Sequence, residues 1–101
     1  MAVAEISVIP LGTETPSVSK YVARAVKVLQ REKDIKYEIT SMGTIIEGDL
    51  DKILSLARKM HEGTFGEGVA RVITVIKIDE RRDKALSMRG KLDSLSRELE
   101  R

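Results

Sequence analysis

Two short strand-like segments near the middle of the chain, residues 36–42 (KYEITSM) and 44–48 (TIIEG), are separated only by Gly43. Spacing this close around a glycine predicts an antiparallel hairpin. The chain has 101 residues, which is enough for one domain, so only a few further strands and helices can flank this hairpin. The fold class therefore depends on what flanks the hairpin.

One strand is predicted before the hairpin and another well after it. Residues 2–10 (AVAEISVIP) alternate, which places Ala4, Ile6 and Val8 on the core side. Residues 69–78 (VARVITVIKI) are apolar throughout, as in strands that are buried on both faces. Together with the hairpin, these segments make four strands.

A helix is predicted between each outer strand and the hairpin. The first begins at Thr15–Pro16, a cap hydroxyl followed by proline, and runs to about residue 32. The second is capped by Asp49 and ends at Gly63, because glycine tolerates the left-handed backbone that closes helices. The apolar stripes of the two helices are Val18, Val22, Val26 and Leu29 in the first, and Leu50, Ile53, Leu54, Ala57 and Met60 in the second.

The order β-α-β-β-α-β predicts an α+β ferredoxin-like two-layer sandwich, because right-handed crossovers place both helices on one face of the sheet. An apolar seam with spacings of 3, 4, 3 and 4 follows, formed by Ala85, Met88, Leu92, Leu95 and Leu99. It predicts an additional amphipathic C-terminal helix over about residues 80–100. We expect residues 1–101 to form a single ferredoxin-like domain.

The helices can cover only one side of such a sheet. On the other side we expect alternate residues of the first and fourth strands, namely Val3, Glu5, Ser7, Ile9, Val72, Thr74, Ile76 and Ile78. Monomers rarely leave an apolar face of this size in water. The pattern predicts a homo-oligomer with a two-fold dimer packed sheet to sheet. The C-terminal helix either joins dimers or docks on its own domain.

A mostly apolar surface with a few converging polar groups is typical of small-molecule sites. The candidate groups here are Ser7, Thr74, Thr40, Met42, Thr44 and the carboxylates of Glu5 and Glu47. A buried carboxylate needs a partner, which a cationic ligand would supply. The alternative is that the hydroxyls satisfy strand backbone and that Glu5 pairs with Arg71 or a lysine. The pattern leaves open which face Glu47 occupies.

Several chemical classes are excluded by composition. The chain has no cysteine and a single histidine, His61, which excludes disulfides, thiolate metal sites and multi-histidine metal sites. The glycine-rich segment at residues 63–68 follows a helix, whereas phosphate-binding loops precede one. No spacing supports a nucleophilic triad. We therefore expect no enzyme, no catalytic residues, no metal and no cofactor.

The charges are interleaved, with 18 Lys and Arg against 16 Asp and Glu, and predict neither nucleic-acid nor membrane-surface binding. Strands one, three and four lack the aromatic residues with which ferredoxin-like sheets stack RNA bases. The loop after the first strand lacks an arginine, which disfavours an acylphosphatase-like enzyme. No apolar run approaches the ~20 residues that span a bilayer, and no signal peptide is visible, so we expect a cytoplasmic protein.

Four blocks resemble the thiamine-binding protein family of small ferredoxin-like proteins: residues 7–13 (SVIPLGT), 16–23 (PSVSKYVA), 37–48 (YEITSMGTIIEG) and 71–84 (RVITVIKIDERRDK). The more specific motifs are MGT-x-x-E and ID-x-R-x-D-K. The resemblance implies dimers and often tetramers that bind thiamine, or a related hydroxymethylpyrimidine compound, without catalysis. The resemblance implies that the ligand-binding positions in this sequence are Ser7, Thr40, Met42, Thr44 and Glu47. The competing hypothesis is a structural or regulatory oligomer without such a ligand.

Overall fold

A computed structural model describes residues 1–14, 18–66 and 68–101. The elements in chain order are β1 (Ala2–Leu11), α1 (Ser19–Gln30), β2 (Lys36–Ile39), β3 (Thr44–Gly48), α2 (Leu50–Thr64), β4 (Arg71–Glu80) and α3 (Met88–Leu99). This order confirms the ferredoxin-like β-α-β-β-α-β fold with an additional C-terminal helix. The helix start predicted at Thr15–Pro16 lies outside the described residues.

The four strands form one antiparallel sheet in the order β2-β3-β1-β4. The predicted hairpin joins β2 and β3, and Ile39 lies opposite Thr44 next to its turn. Central strand β1 pairs with β4 along its whole length, from Ala2 opposite Glu80 to Leu11 opposite Arg71. Strand β4 is therefore a long edge strand.

The core lies between the sheet and the two helices. As predicted, Ala4, Ile6 and Val8 of β1 face it, together with Ile46 of β3. The helices contribute Ala25, Leu29, Ile53, Leu56, Ala57 and Met60. The prediction for Leu54 was wrong, since its side chain is 43% exposed and Leu56 takes the buried position. Ile53, Leu56, Ala57 and Met60 follow the 3-4 spacing of one helix face, whereas Leu54 is turned about 100° from Ile53.

Helix α2 begins directly after Asp49, as predicted, but it does not end at Gly63. The helix continues to Thr64, whose buried hydroxyl donates a hydrogen bond of 2.8 Å to the carbonyl of Met60. A left-handed backbone occurs at Gly68 instead, with φ of 86°. The hydroxyl satisfies a carbonyl of the last turn, which allows one more residue to stay helical.

The predicted orientation of the fourth strand was wrong by one residue. Ser7 lies opposite Val75 and Ile9 opposite Ile73, and residues directly opposite each other share a face of the sheet. The face without helices, here called the open face, therefore carries Ile73 and Val75. The residues predicted there, Val72, Thr74, Ile76 and Ile78, lie on the helix side. Because β4 is apolar on both faces, alternation could not specify its register.

Thr74 is engaged by helix α2 and is not part of the open face. The Nδ1 atom of His61 lies 2.6 Å from the hydroxyl oxygen of Thr74. The His61 ring also packs edge-on against Phe65, with 5.3 Å between ring centroids. These contacts tie the end of α2 to the edge strand.

Helix α3 begins at Met88, later than predicted, because β4 extends to Glu80 and residues 81–87 form a connection. Ala85 therefore precedes the helix. Ser87 is the N-cap, and its hydroxyl accepts a hydrogen bond of 2.9 Å from the N–H of Gly90. No residue of α3 is buried, and the seam residues Leu92, Leu95 and Leu99 are between 55% and 76% exposed.

None of the helices in the described ranges is long and apolar enough to cross a membrane. The cytoplasmic location stays a prediction.

Candidate functional site

A cleft of 360 Å³ lies at the hairpin end of the sheet, between α1 and the turn that joins β2 to β3. We call it the hairpin cleft. Four of the seven candidate residues line it: Ser7, Thr40, Met42 and Thr44. Its remaining walls are mainly apolar and include Val22, Val26, Ile39 and Met60. The structure therefore brings residues of the first strand and of the hairpin to one volume.

The turn at the lip of this cleft is built by Thr40. Its hydroxyl donates to the carbonyl of Gly43 at 2.7 Å and accepts from the N–H groups of Met42 and Gly43 at 3.2 and 3.1 Å. A hydroxyl that bonds the backbone of the following residues is a turn-forming device. Thr40 thus shapes the cleft. Met42, at the tip of the turn, is 81% exposed and projects over the opening.

Gly43 lets the turn lie directly against β1. A Cβ atom at this position would be 3.1 Å from the carbonyl oxygen of Ile6 and 3.4 Å from Cγ of Glu5. The distance to the carbonyl oxygen is tighter than a side chain normally accepts. The absence of a side chain at Gly43 therefore lets the turn pack closely against β1 at the wall of the cleft.

Thr44 and Ser7 carry hydroxyls with no side-chain hydrogen bond to another described residue. Thr44 is only 3% exposed and lies opposite Ile6, on the helix side of the sheet. Ser7 is half-buried and lies on the open face, opposite Val75. Both residues line the hairpin cleft. Together with Ser41 of the turn, they are the hydroxyl-bearing residues of the lining whose side chains are not already engaged in the turn.

Glu5 lies on the open face, directly opposite Lys77 of β4 and Ile45 of β3. Among the described residues it forms no ion pair within 4.0 Å, so the alternative pairing with Arg71 or a lysine is not observed. Arg71 lies opposite Leu11, at the far end of the strand. The Glu5 carboxylate therefore keeps its charge available on the surface.

Glu47 also lies on the open face, opposite Val3 and Lys36, but it is not part of the hairpin cleft. It is three residues beyond Thr44, about 10 Å along the strand. Glu47 is buried, and its Oε1 atom accepts a hydrogen bond of 2.8 Å from the N–H of Met88. The structure thus gives this carboxylate a partner within the chain.

A second, smaller cleft of 260 Å³ lies between the open face and α3. We call it the terminal-helix cleft. Its apolar walls include Val3, Ile45, Met88 and Leu92, and Glu5 lies at its edge. Met88 and Leu92 of the predicted seam therefore cover part of the open face of their own domain. The sequence pattern predicted the apolar seam of α3, but only the structure shows which strand residues lie beside it.

Within the part of the chain that the structure describes, no three histidine, aspartate or glutamate side chains are grouped so that they could hold a metal ion. The described residues lining the hairpin cleft include no histidine, carboxylate, lysine or arginine. The cleft therefore offers hydrogen bonds and apolar contact, without a titratable group at its wall.

The sequence profile of the thiamine-binding protein family matches residues 4–96 of the chain. The UPF0045 protein YqgV of Bacillus subtilis is 46% identical over 103 aligned residues, which cover 99% of each chain. The crystal structure of the hypothetical protein MJ1052 of Methanocaldococcus jannaschii is similar, with 44% identity and a TM-score of 0.86 over 94% of this chain and 95% of that one.

A domain of unknown function, DUF77, from Bacillus cereus has 30% identity and a TM-score of 0.79, over 90% of this chain and 86% of that one. The similarity in sequence and structure runs along nearly the whole length of these relatives, and the resemblance seen in the four sequence blocks is confirmed. The chain belongs to the thiamine-binding protein family.

Proposed function

We propose that the protein binds thiamine, or a related hydroxymethylpyrimidine compound, in the hairpin cleft, and that it does so without catalysis. The observation that carries the proposal is the convergence of Ser7, Thr40, Met42 and Thr44 on one largely apolar cleft. Its volume of 360 Å³ lies within the range of small-molecule pockets, roughly 300–1,000 Å³. The family profile supports this class of ligand.

The lining groups match an aminopyrimidine ring with a cationic substituent. The hydroxyls of Ser7 and Thr44 can donate to or accept from the ring nitrogens and the amino group. The thioether of Met42 can pack on a ring face. The carboxylate of Glu5, which lies near Gly43 on the open face and outside the lining of the cleft, can attract the positive charge of a thiazolium.

Binding without catalysis agrees with the chemistry of the walls. General acid-base catalysis requires a titratable group within hydrogen-bond reach of the reacting atoms. The described residues that line the cleft contain none. We therefore propose a carrier or sensor rather than an enzyme.

We further propose that the protein acts as a homo-oligomer in which a second copy covers the open face. Ile9, Ile73 and Val75 expose between 42% and 52% of their side chains on this face, and Leu95 and Leu99 extend the apolar surface along α3. A sheet-to-sheet dimer would remove the exposed residues of the open face from water. Pairing of the terminal helices would remove the exposed leucines of α3.

Calorimetric titration of ligand-free protein with thiamine tests the binding proposal. We expect saturable binding that weakens about tenfold in Thr44→Val, which removes one hydroxyl at nearly constant volume. Ser55→Ala, an exposed hydroxyl on α2, is the matched control and should bind as the wild type. No heat at concentrations on the order of 1 mM would overturn the proposal and favour an oligomeric scaffold without this ligand.

Two further results locate the site and the assembly. Weakening by Glu38→Gln, at a residue that lines the terminal-helix cleft, but not by Thr44→Val would contradict the hairpin cleft and favour the terminal-helix cleft. Ile73→Lys places a charge among the exposed apolar residues of the open face and should reduce the molar mass measured by light scattering. An unchanged mass would contradict the sheet-to-sheet dimer.

A further inference from the structure

The solvent-facing side of α1 carries charge of one sign only. Lys20, Arg24, Lys27 and Arg31 recur at spacings of 4, 3 and 4, and the segment Ser19–Gln30 contains no aspartate or glutamate. Residues three and four apart are neighbours on one side of a helix. The charges of the chain are interleaved overall, whereas residues 15–31 contain four cations and no acid, and the helix brings these cations to one side.

The stripe borders a groove to which α2 adds a further cation. This groove, here called the cationic groove, has a volume of 300 Å³ and is lined by Arg24, Lys27, Val28, Arg31, Glu32 and Lys59. Glu32 is the one acid in that lining, and Lys52 binds it, with 2.6 Å between Nζ and Oε2. The remaining charged groups of the groove are all positive.

Three of these cations have no ion-pair partner. Lys27, Arg31 and Lys59 are exposed, and none of them lies within 4.0 Å of a carboxylate in the described ranges. Elsewhere on α2, Arg58 is paired with Glu62 at 3.0 Å. The dipole of α1 favours cations in its last turn, but it does not account for Lys59 in the interior of α2. Like charges at this spacing also disfavour the helix, so a bound anion would relieve a cost.

We propose that the cationic groove binds a compact oligophosphate, namely a di- or triphosphate group, free or esterified. Cations from two helices surround one volume, which fits a compact anion better than an extended one. The guanidinium group of Arg31 matches phosphate oxygens in two-point hydrogen bonds. Lys27 precedes Arg31 by one turn, about 6 Å along α1, and Lys59 of α2 lines the same groove, so one short phosphate chain can reach cations of both helices.

The test is calorimetric titration with sodium tripolyphosphate at low salt. The wild type should bind one equivalent, and the double variant Lys27→Gln/Arg31→Gln should bind at least about tenfold more weakly. The control double variant Lys84→Gln/Arg89→Gln removes the same charge from exposed sites outside the groove and should change affinity less than about twofold. The melting temperature of the groove variant without ligand should stay close to that of the wild type, because relief of like-charge repulsion opposes the loss of a favourable interaction with the dipole of α1.

A parallel titration with ATP distinguishes the source of the phosphates. Equal affinity for ATP and tripolyphosphate means that only the phosphate chain is recognised, and tighter ATP binding means that an esterified phosphate is preferred. Either result supports the proposal if the double variant Lys27→Gln/Arg31→Gln weakens the binding of both compounds. The proposal is overturned if tripolyphosphate does not saturate, if both double variants weaken binding equally, or if only a long polyanion such as heparin binds.

Discussion

The carboxylate of Glu47 accepts a hydrogen bond from the backbone N–H of Met88, with 2.8 Å between the two atoms. Glu47 is in β3, and Met88 is the first residue of α3. The first N–H groups of a helix have no partner inside the helix, and a negative charge there also favours the helix dipole. A buried acid of the sheet thus fixes the point at which the terminal helix meets the open face.

Replacing Glu47 by alanine should loosen α3. The Met88 N–H would lose its acceptor, at a cost of about 1–3 kcal/mol. We expect faster hydrogen exchange at Met88, measured by NMR. Glu47→Gln keeps an oxygen acceptor and should show a smaller effect, and Glu62→Ala, an exposed acid in α2, should show none. Unchanged exchange at Met88 in the alanine variant would show that α3 is held by other contacts.

Two isoleucines of the hairpin should differ sharply in their contribution to stability. Ile46 is fully buried between the sheet and α2, whereas Ile39 is 63% exposed. Ile46→Ala should lower the free energy of unfolding by about 2–5 kcal/mol because it leaves a cavity in the core. Ile39→Ala should change it by less than about 0.5 kcal/mol. Urea unfolding measures both, and equal losses would contradict the described core.

The contact between His61 and Thr74 should hold the end of α2 on the edge strand. Thr74→Val removes the hydroxyl that lies 2.6 Å from Nδ1 of His61. We expect a loss of about 0.5–1.5 kcal/mol in unfolding free energy. The ring resonances of His61 should also shift in NMR spectra. A variant with wild-type stability and unchanged ring resonances would rule out this hydrogen bond in solution.

Asp83 should titrate at unusually low pH. Arg81 donates two hydrogen bonds to its carboxylate, of 2.7 and 2.6 Å, and these lower the pKa of Asp83 from 3.8 to about 2. Because the folded-state pKa is depressed, the pair stabilises the β4–α3 connection above the ordinary pKa. That contribution is lost as the pH falls from about 4 towards 2.

NMR titration of the Asp83 carboxyl carbon measures this midpoint. Arg81→Gln should return it towards 3.8, and high salt should move it in the same direction because the pair is exposed. A wild-type midpoint near 3.8 would show that the pair does not persist in solution.

The core-facing side of a strand was predictable from the sequence where polar and apolar residues alternate along it. In β1, the polar residues Glu5 and Ser7 alternate with Ala4, Ile6 and Val8, so the core face followed directly. In β4, neighbouring positions are apolar, and the interpretation placed the wrong set on the open face. Lys77 was the available signal, since it lies opposite Glu5 and on the solvent side.

The candidate site was predictable in part for a similar reason. Thr40 and Met42 belong to the hairpin turn, and the register of β3 with β1 brings Thr44 near Ser7. The contributions of α1, such as Val22, depend on how the helix packs and have no signature in the strands. The role of Glu47 at the start of α3 joins residues forty-one positions apart, which no local pattern records.

The pairing of β1 with β4 also bears on how the chain is made. Strand β1 leaves the ribosome before the other strands of the sheet, yet the strand with which it pairs over the greatest length consists of residues 71–80. Until those residues emerge, the N–H and C=O groups along one edge of β1 have no partner strand, and such an edge can pair with other chains. Contacts so distant in sequence also slow folding. A chain released before Arg71 would therefore aggregate instead of folding to a smaller version of the sandwich, and the fold can close only after β4 has been synthesised.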